Sequence, residues 1–305
     1  MTWTADDLGD HSGRTVVVTG ANSGTGREVA RAFAGHGARV VLAVRNVEAG
    51  AATVAEIAAE HPGAAGRLHV ERLDLASLAS IHDLADRLDR PIDVLVNNAG
   101  VMAPPKHRMT EDGFELQLGT NHLGHFALTG LLLPRLLETP APRVATMSSI
   151  SHHAGGPRIL DGNPASSYRA QAAYGNSKLG NLLFALELQR RATAAGSVLT
   201  STAAHPGVTY TNLFSSPDGM GGYGLVRRVV PMVMKVVLPP ASAGATALLY
   251  AASAAAPGSY TGPQRLGESR GPIGPAKLSP WARDEALAQK VWAWSEEQTG
   301  VSFAL

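Results

Sequence analysis

The run Thr19-Gly20-Ala21-Asn22-Ser23-Gly24-Thr25-Gly26, set directly after the first apolar segment, constrains this chain more than any other feature. Its glycines allow a sharp turn from a strand into a helix and let backbone come close to a bound group. A helix opening there presents free N–H groups and the positive end of its dipole, a natural seat for an anion such as a pyrophosphate. Such a turn belongs to a βαβ unit, and the pattern downstream repeats that unit.

Short β-branched runs at Thr15–Thr19, Arg39–Ala43, His69–Leu73, Val94–Val96, Val144–Met147 and Leu199–Ala203 predict buried strands. Longer Ala- and Leu-rich stretches at Arg27–Gly35, Val47–Glu60, Leu78–Leu88, Glu111–Glu138 and Tyr174–Ala195 predict helices. Strands separated by helices imply right-handed crossovers and a parallel sheet covered on both faces. No Ser- or Pro-rich linker and no repeat divides the 305 residues. The expected fold is therefore α/β: a single-domain doubly wound parallel sheet of Rossmann type over 1–305, with helices on both faces. Gly258–Pro280 reads as a loop, and 280–298 as a C-terminal helix whose Trp292 and Trp294 pack on the domain.

Composition removes several classes of function. With no cysteine, disulfides, thiolate nucleophiles and cysteine-held metals are excluded. The 11 histidines include the close pairs His122/His125 and His152/His153, but none has metal-site spacing, so no metal is expected. Balanced charge, 26 basic against 25 acidic residues, offers no surface for nucleic acid. Met1–Arg14 is polar, and Leu225–Pro240 is too short and too charged to span a bilayer. No transmembrane segment and a cytoplasmic location are expected.

In an open parallel sheet the ligand lies beyond the carboxyl ends of the strands. After the second strand stands Arg45, where dinucleotide sites for NAD carry an acid for the ribose hydroxyl. A guanidinium instead suits a 2′-phosphate, with Arg27 as a second candidate, so NADP(H) is favoured over NAD(H). Asp74, beside Leu75 after the third strand, is placed to meet an adenine edge. Asn98, Ala99 and Gly100 give small residues after the fourth, where a cofactor passes close to backbone. Tyr174 and Lys178 stand at i and i+4, on one face of a helix. A phenol titrates near 10, and a neighbouring ammonium lowers that value, which makes a reversible general acid. Ser148-Ser149 closes the fifth strand and offers a hydroxyl to a substrate oxygen, while Asn121 could anchor a water leading to Lys178.

These motifs, in this order over Thr15 to Tyr250, resemble the short-chain dehydrogenase/reductase family. "TGANSGTG", "NNAG", "TNHLGHF", the paired serines, "YGNSK" and "HPGVTYTN" look most like the branch that includes retinol dehydrogenases and protochlorophyllide reductases. The resemblance implies a catalytic tetrad of Asn121, Ser149, Tyr174 and Lys178, with Lys178 also on the nicotinamide ribose. It implies cofactor contacts from Gly20, Asn22, Ser23, Gly24, Thr25 and Gly26 at the first turn. It further implies that Pro206, Gly207, Val208 and Thr211 hold the carboxamide. Ser149 is preferred because it lies 25 positions before Tyr174, the interval of that branch, with Ser148 as the alternative. Ser151–Arg169 is then an insertion beside the substrate site. Thr25 departs from the apolar residue usual at that point of the loop.

The implied reaction is hydride transfer between nicotinamide and a small-molecule carbonyl or alcohol. The segment 212–240, apolar and glycine-hinged, reads as a lid over a lipophilic substrate. The helices carrying Asn121 and Tyr174 could pair in a homo-oligomer, as they do in relatives. Two other readings share the fold: an epimerase or dehydratase, and a non-catalytic NADP-binding regulatory protein. The glycine spacing disfavours the first, and the presence of all four tetrad members disfavours the second.

Overall fold

A computed structural model of the chain describes residues 3–208 and 240–305. The apolar runs become β1 (Thr15–Thr19), β2 (Arg39–Val44), β3 (Leu68–Arg72), β4 (Val94–Asn97), β5 (Arg143–Met147) and β6 (Thr200–Ala204). Two further strands follow, β7 (Tyr260–Arg265) and β8 (Arg270–Pro275). They form one sheet in the order β3-β2-β1-β4-β5-β6-β7-β8. Pairing is parallel from β3 across to β7, and only the edge pair β7–β8 is antiparallel. The strand order reverses between β1 and β4, which is where a doubly wound sheet opens its ligand crevice.

Successive strand residues point to opposite faces, and here both faces are dry. Val16, Val18, Val40, Leu42, Val94 and Val96 join one layer with Val29 and Phe33 of α1 (Gly24–Gly35). Val17, Val41, Leu95 and Val144 join the other, with Ile81 and Leu84 of α3 (Leu78–Arg87) and Phe126 and Leu133 of α4 (Gly124–Leu137). Helix starts are set by short polar side chains that take the free N–H groups of a first turn. Asn46 accepts from the Ala49 amide at 2.9 Å to open α2 (Val47–Glu60), and Ser77 does the same for α3.

Four elements differ from expectation. The presumed loop Gly258–Pro280 contains β7 and β8, because the glycines there mark close packing rather than a break. A Cβ on Gly262 would run into the His205 ring. A helix not singled out by pattern, α6 (Ala241–Ser253), packs its alanines and leucines against β5 and β6; it carries no charged residue, so no polar face reveals its period. The long helix expected from Glu111 begins instead at Leu116, where the Glu115 carboxylate accepts from the Gln117 and Leu118 amides. It then widens into a π-turn at Gly119–Leu123 before α4. The helix bearing Tyr174, α5, runs over Ala170–Ala194, one turn earlier than expected.

The C-terminal helix α7 (Glu285–Thr299) lies against α4 and α5. Its Trp292 is buried with ring centroids 5.1 Å from Phe126, 5.8 Å from Phe184 and 4.6 Å from Phe303. Trp294 is only partly buried beside it. Trp292→Ala is expected to destabilise the fold by about 3–5 kcal/mol, the cost of emptying an aromatic core site, read as a fall in denaturation midpoint. Trp292→Phe should cost much less, since Nε1 has no hydrogen-bond partner among the described residues.

Candidate active site

At the carboxyl edge of the sheet a cleft of about 580 Å³ opens over β1 and β4. Its floor is built by close backbone approach. Gly20 sits at φ +66°, and a Cβ there would lie 2.9 Å from that of Ala99; one on Gly26 would lie 2.5 Å from Asn98 Nδ2 and from Gly20 O. The Thr19 hydroxyl accepts from the amides of Asn98 at 2.9 Å and Ala99 at 3.0 Å, and Asn98 Nδ2 donates to Thr19 O at 2.9 Å. The glycine loop and the loop after β4 are therefore one welded cradle. Ser23, at the N-cap of α1, makes no side-chain capping bond, so the helix start faces the cleft with its donors unshielded by that hydroxyl.

Around this cradle the cleft takes in every sequence candidate among the described residues except Asn121 and Arg27. Thr25 lines it and is buried. Arg45 stands exposed at the rim after β2, next to Asp74 and Leu75 from the end of β3. Asp74 also takes the Ala76 amide at 3.0 Å, which shapes the turn into α3. Arg27 is not on the cleft: it pairs with Glu28 at 3.4 Å and Glu56 at 3.3 Å. Thr211 and 212–239 of the lid segment lie outside the described residues.

The polar end of the cleft is made by β5, the π-turn and α5. Tyr174 and Lys178 are both buried, with Lys178 Nζ 5.8 Å from the phenol ring centroid and 3.3 Å from Met147 O, to which it donates. The two serines separate clearly. Ser148 is buried and donates to Lys178 O at 2.8 Å, whereas Ser149, half-buried, lines the cleft with Tyr174 and accepts from the Ser151 amide at 3.1 Å. Asn121 sits behind the cleft wall. Its Nδ2 donates to Val101 O at 3.0 Å and Ser177 Oγ at 2.9 Å, and its Oδ1 accepts from the Val101 amide at 2.8 Å. A Cβ on Gly100 would lie 2.9 Å from Asn121 Oδ1 and 3.6 Å from Lys178 Nζ, so these two groups flank one small gap that glycine leaves open.

Burial governs the charges. It pushes the Tyr174 phenol up to about 12, against a smaller lowering by the Ser149 hydroxyl, and pulls the Lys178 ammonium down to about 8. The depression of the phenol expected from the lysine is thus not found in the chain by itself, because desolvation of a buried phenolate is the larger effect.

After β6 the backbone turns through Pro206, Gly207 and Val208 along the cleft, and Val208 N donates to Ser269 O at 3.0 Å in the β7–β8 hairpin. Sequence reasoning missed this hairpin and with it the buried ring of His205, whose Nε2 lies 3.4 Å from Glu268 Oε2. It also missed Met102, Met147 and Ile150, apolar residues of the cleft wall with no motif to mark them.

Residues 14–218 match the family described as short chain dehydrogenase. The chain is 44% identical to retinol dehydrogenase 12 of Mus musculus over 204 residues, 66% of this chain and 63% of that protein. It is 40% identical to polyprenol dehydrogenase of Mus musculus over 297 residues, covering 94% of this chain and 84% of that one. Against retinol dehydrogenase 13 of Homo sapiens the figures are 37% over 294 residues, 95% and 85%. Among solved structures, an uncharacterized protein from Mycobacterium Paratuberculosis matches over 100% of both chains at 43% identity with a TM-score of 0.81. A Beutenbergia cavernae protein described as an NAD(P) dependent gluconate 5-dehydrogenase, with NADP bound at low occupancy, gives 0.60 at 26% identity over 80% of this chain and 91% of that one. A glycine-lined cradle at the switch point of the sheet and these likenesses agree: the chain belongs to the short chain dehydrogenase family, on its retinol dehydrogenase-like branch.

Proposed function

We propose that this chain is an NADP(H)-dependent oxidoreductase that interconverts a carbonyl and an alcohol, with Tyr174 as the general acid and base. The observation that carries the reading is the buried pair Tyr174–Lys178, with half-buried Ser149 on the same cleft, opposite a glycine cradle at a helix start. The residues present fit a dinucleotide, since side chains at Gly20 and Gly26 would fill the cradle. Gly20–Gly26 and the start of α1 would hold its pyrophosphate, Arg45 its 2′-phosphate, Asp74 and Leu75 its adenine, and Lys178 with Pro206–Val208 its nicotinamide end. When bound, that group supplies or accepts the hydride.

The chain's own residues manage the proton. Ser149 holds the substrate oxygen beside the phenol, and Tyr174 donates its proton to that oxygen as negative charge develops on it. A phenol held up at about 12 keeps its proton at neutral pH, which supports carbonyl reduction as the working direction. Lys178, charged below about 8, stabilises the phenolate left behind. The apolar composition of 212–240 supports a lipophilic substrate, and the relatives named for retinol and polyprenol support the same chemical class. No described helix is long and apolar enough to cross a membrane; a cytoplasmic enzyme is the working proposal.

Tyr174→Phe is expected to lower kcat for NADPH-dependent reduction of a lipophilic aldehyde by about 10²–10⁴-fold, the usual worth of general acid catalysis. Its dinucleotide Kd, measured by calorimetry, should stay near wild type, and wild-type turnover by the variant would overturn the assignment. Arg45→Asp should weaken NADPH binding by about tenfold or more, the loss of a charge-assisted hydrogen bond, while sparing or improving NADH. An unchanged NADPH/NADH ratio would remove Arg45 from the phosphate site. With pH, reduction should hold level below about 8 and decline above it as Lys178 loses its proton. A profile that rises through that range would contradict the role given to the ammonium.

A further inference from the structure

His125 has no part in the reading above, yet it touches both halves of the site. Its ring is buried at 1% exposure and makes two bonds: Nδ1 to Asn121 O at 2.8 Å and Nε2 to Thr19 Oγ1 at 2.9 Å. We infer that His125 is a positioning residue, a neutral imidazole that fixes the cofactor cradle and the turn carrying Asn121 in one set relation. The inference rests on the proposed roles of Asn121, Tyr174 and Lys178.

The hydrogen-bond arithmetic admits one tautomer. A carbonyl only accepts, so Nδ1 must carry the proton that reaches Asn121 O. In the neutral ring Nε2 is then bare, and Thr19 must donate its hydroxyl proton to it. That orientation turns the two lone pairs of Thr19 Oγ1 toward the Asn98 and Ala99 amides, from which it accepts at 2.9 and 3.0 Å. A protonated ring would bring a third donor to the same oxygen and send the hydroxyl to its other acceptor, Val96 O at 3.3 Å. Burial favours the neutral form and holds the imidazole down at about 4.

On the other side, the π-turn Gly119–Leu123 departs from regular helical bonding, and a ring four residues on takes the Asn121 carbonyl. Asn121 in turn reaches Ser177 Oγ at 2.9 Å, and Ser177 donates to Tyr174 O at 2.8 Å. One rigid ring therefore connects the loop Asn98–Gly100, against which the dinucleotide would lie, with the helix that carries the phenol and the ammonium. Since a misplacement of about 1 Å can cost about 10²-fold in rate, a stiff link between these parts is worth a buried polar side chain.

The two bonds can be removed separately. In His125→Asn the amide reaches the position of Nδ1 and so can serve Asn121 O but not Thr19; in His125→Gln it reaches that of Nε2 and serves Thr19 but not Asn121 O; His125→Leu serves neither. NADPH Kd is read by calorimetry, kcat and KM with a long-chain aldehyde, and folding by thermal melts. The loss from His125→Asn should fall on Kd and that from His125→Gln on kcat, each by about tenfold, with both losses in His125→Leu. Asn and Gln variants that shift the same parameter, or neither, while melting as wild type does, overturn the inference. Nitrogen NMR of the wild-type imidazole at pH 7 stands free of any variant's folding: a protonated Nδ1 with a bare Nε2 is required, and an Nε2–H ring overturns the inference. Wild type that binds NADPH yet turns over no carbonyl or alcohol counts against the proposed function alone, and the Kd and NMR results then decide on His125.

Discussion

One oxygen atom, Thr19 Oγ1, sits where the ends of β1 and β4 must be held apart by less than a side chain. A doubly wound sheet opens a crevice at its switch point whatever the sequence, because neighbouring crossovers leave in opposite directions there. That crevice becomes a binding surface only if the two loops leaving it keep a fixed separation. Backbone amides at Asn98 and Ala99 would be unpaired at this edge, and the threonine hydroxyl receives both. With Ala99 tied so close, Gly20 can carry no Cβ, and with Asn98 Nδ2 drawn to Thr19 O neither can Gly26. The glycines are thus consequences of the tie as much as a way of making room for phosphate.

The same economy shapes the chemical end. Tyr174 and Lys178 are buried by the packing of α5 on the sheet, and burial alone moves them in opposite directions, the phenol up and the ammonium down. Both shifts favour the uncharged form, yet they differ in consequence at neutral pH. The phenol stays protonated by a wide margin, while the lysine, brought to about 8, is still mostly charged and has become sensitive to its surroundings. The Ser149 hydroxyl opposes the rise of the phenol, though by less than burial raises it. Ser148 cannot share that work, because its proton is spent on Lys178 O. Adjacent serines therefore divide into one whose proton is tied to the helix backbone and one whose hydroxyl proton is left for the cleft.

Much of this was legible in the residues themselves. Strands β1, β2, β4 and most of β5 are short apolar runs whose period is hidden by two-sided burial, and the spacing of all six by helices gives the sheet. Most cleft residues could be found because they stand just beyond a strand end, and Tyr174 and Lys178 because they share one helix face. Legibility failed where tertiary contact overrode local pattern. Gly262 and Gly274 look like turn residues, yet they mark places where a Cβ would meet His205 or Gln264, so β7 and β8 were hidden. Arg27 looked like a phosphate ligand from its position, but Glu56 lies 29 residues on and only the packing of α2 on α1 brings it near. The sign of the Tyr174 shift was likewise beyond reach, because spacing reveals a neighbouring charge but not the solvent that has been stripped from the phenol.

The buried histidines show what the chain does without cysteine or excess charge. His122 reaches Ser295 Oγ at 2.8 Å on α7, His125 joins Asn121 to Thr19, and His152 meets Ser149 O at 2.7 Å while accepting the Ser279 amide at 3.2 Å. All three are held well below the ordinary imidazole range, burial being the main cause. A neutral imidazole is one donor and one acceptor on opposite sides of a rigid plane, which suits it to bridging elements whose separation must not vary. For His125 and His152 the carbonyl on Nδ1 dictates the tautomer, so each bridge has a single satisfied arrangement. Two of these rings join residues at the polar end of the site, Asn121 behind the cleft wall and Ser149 on it, to parts of the fold distant in sequence. The precision of the site therefore depends on keeping those rings neutral, and it is the dryness of the core around them that does so.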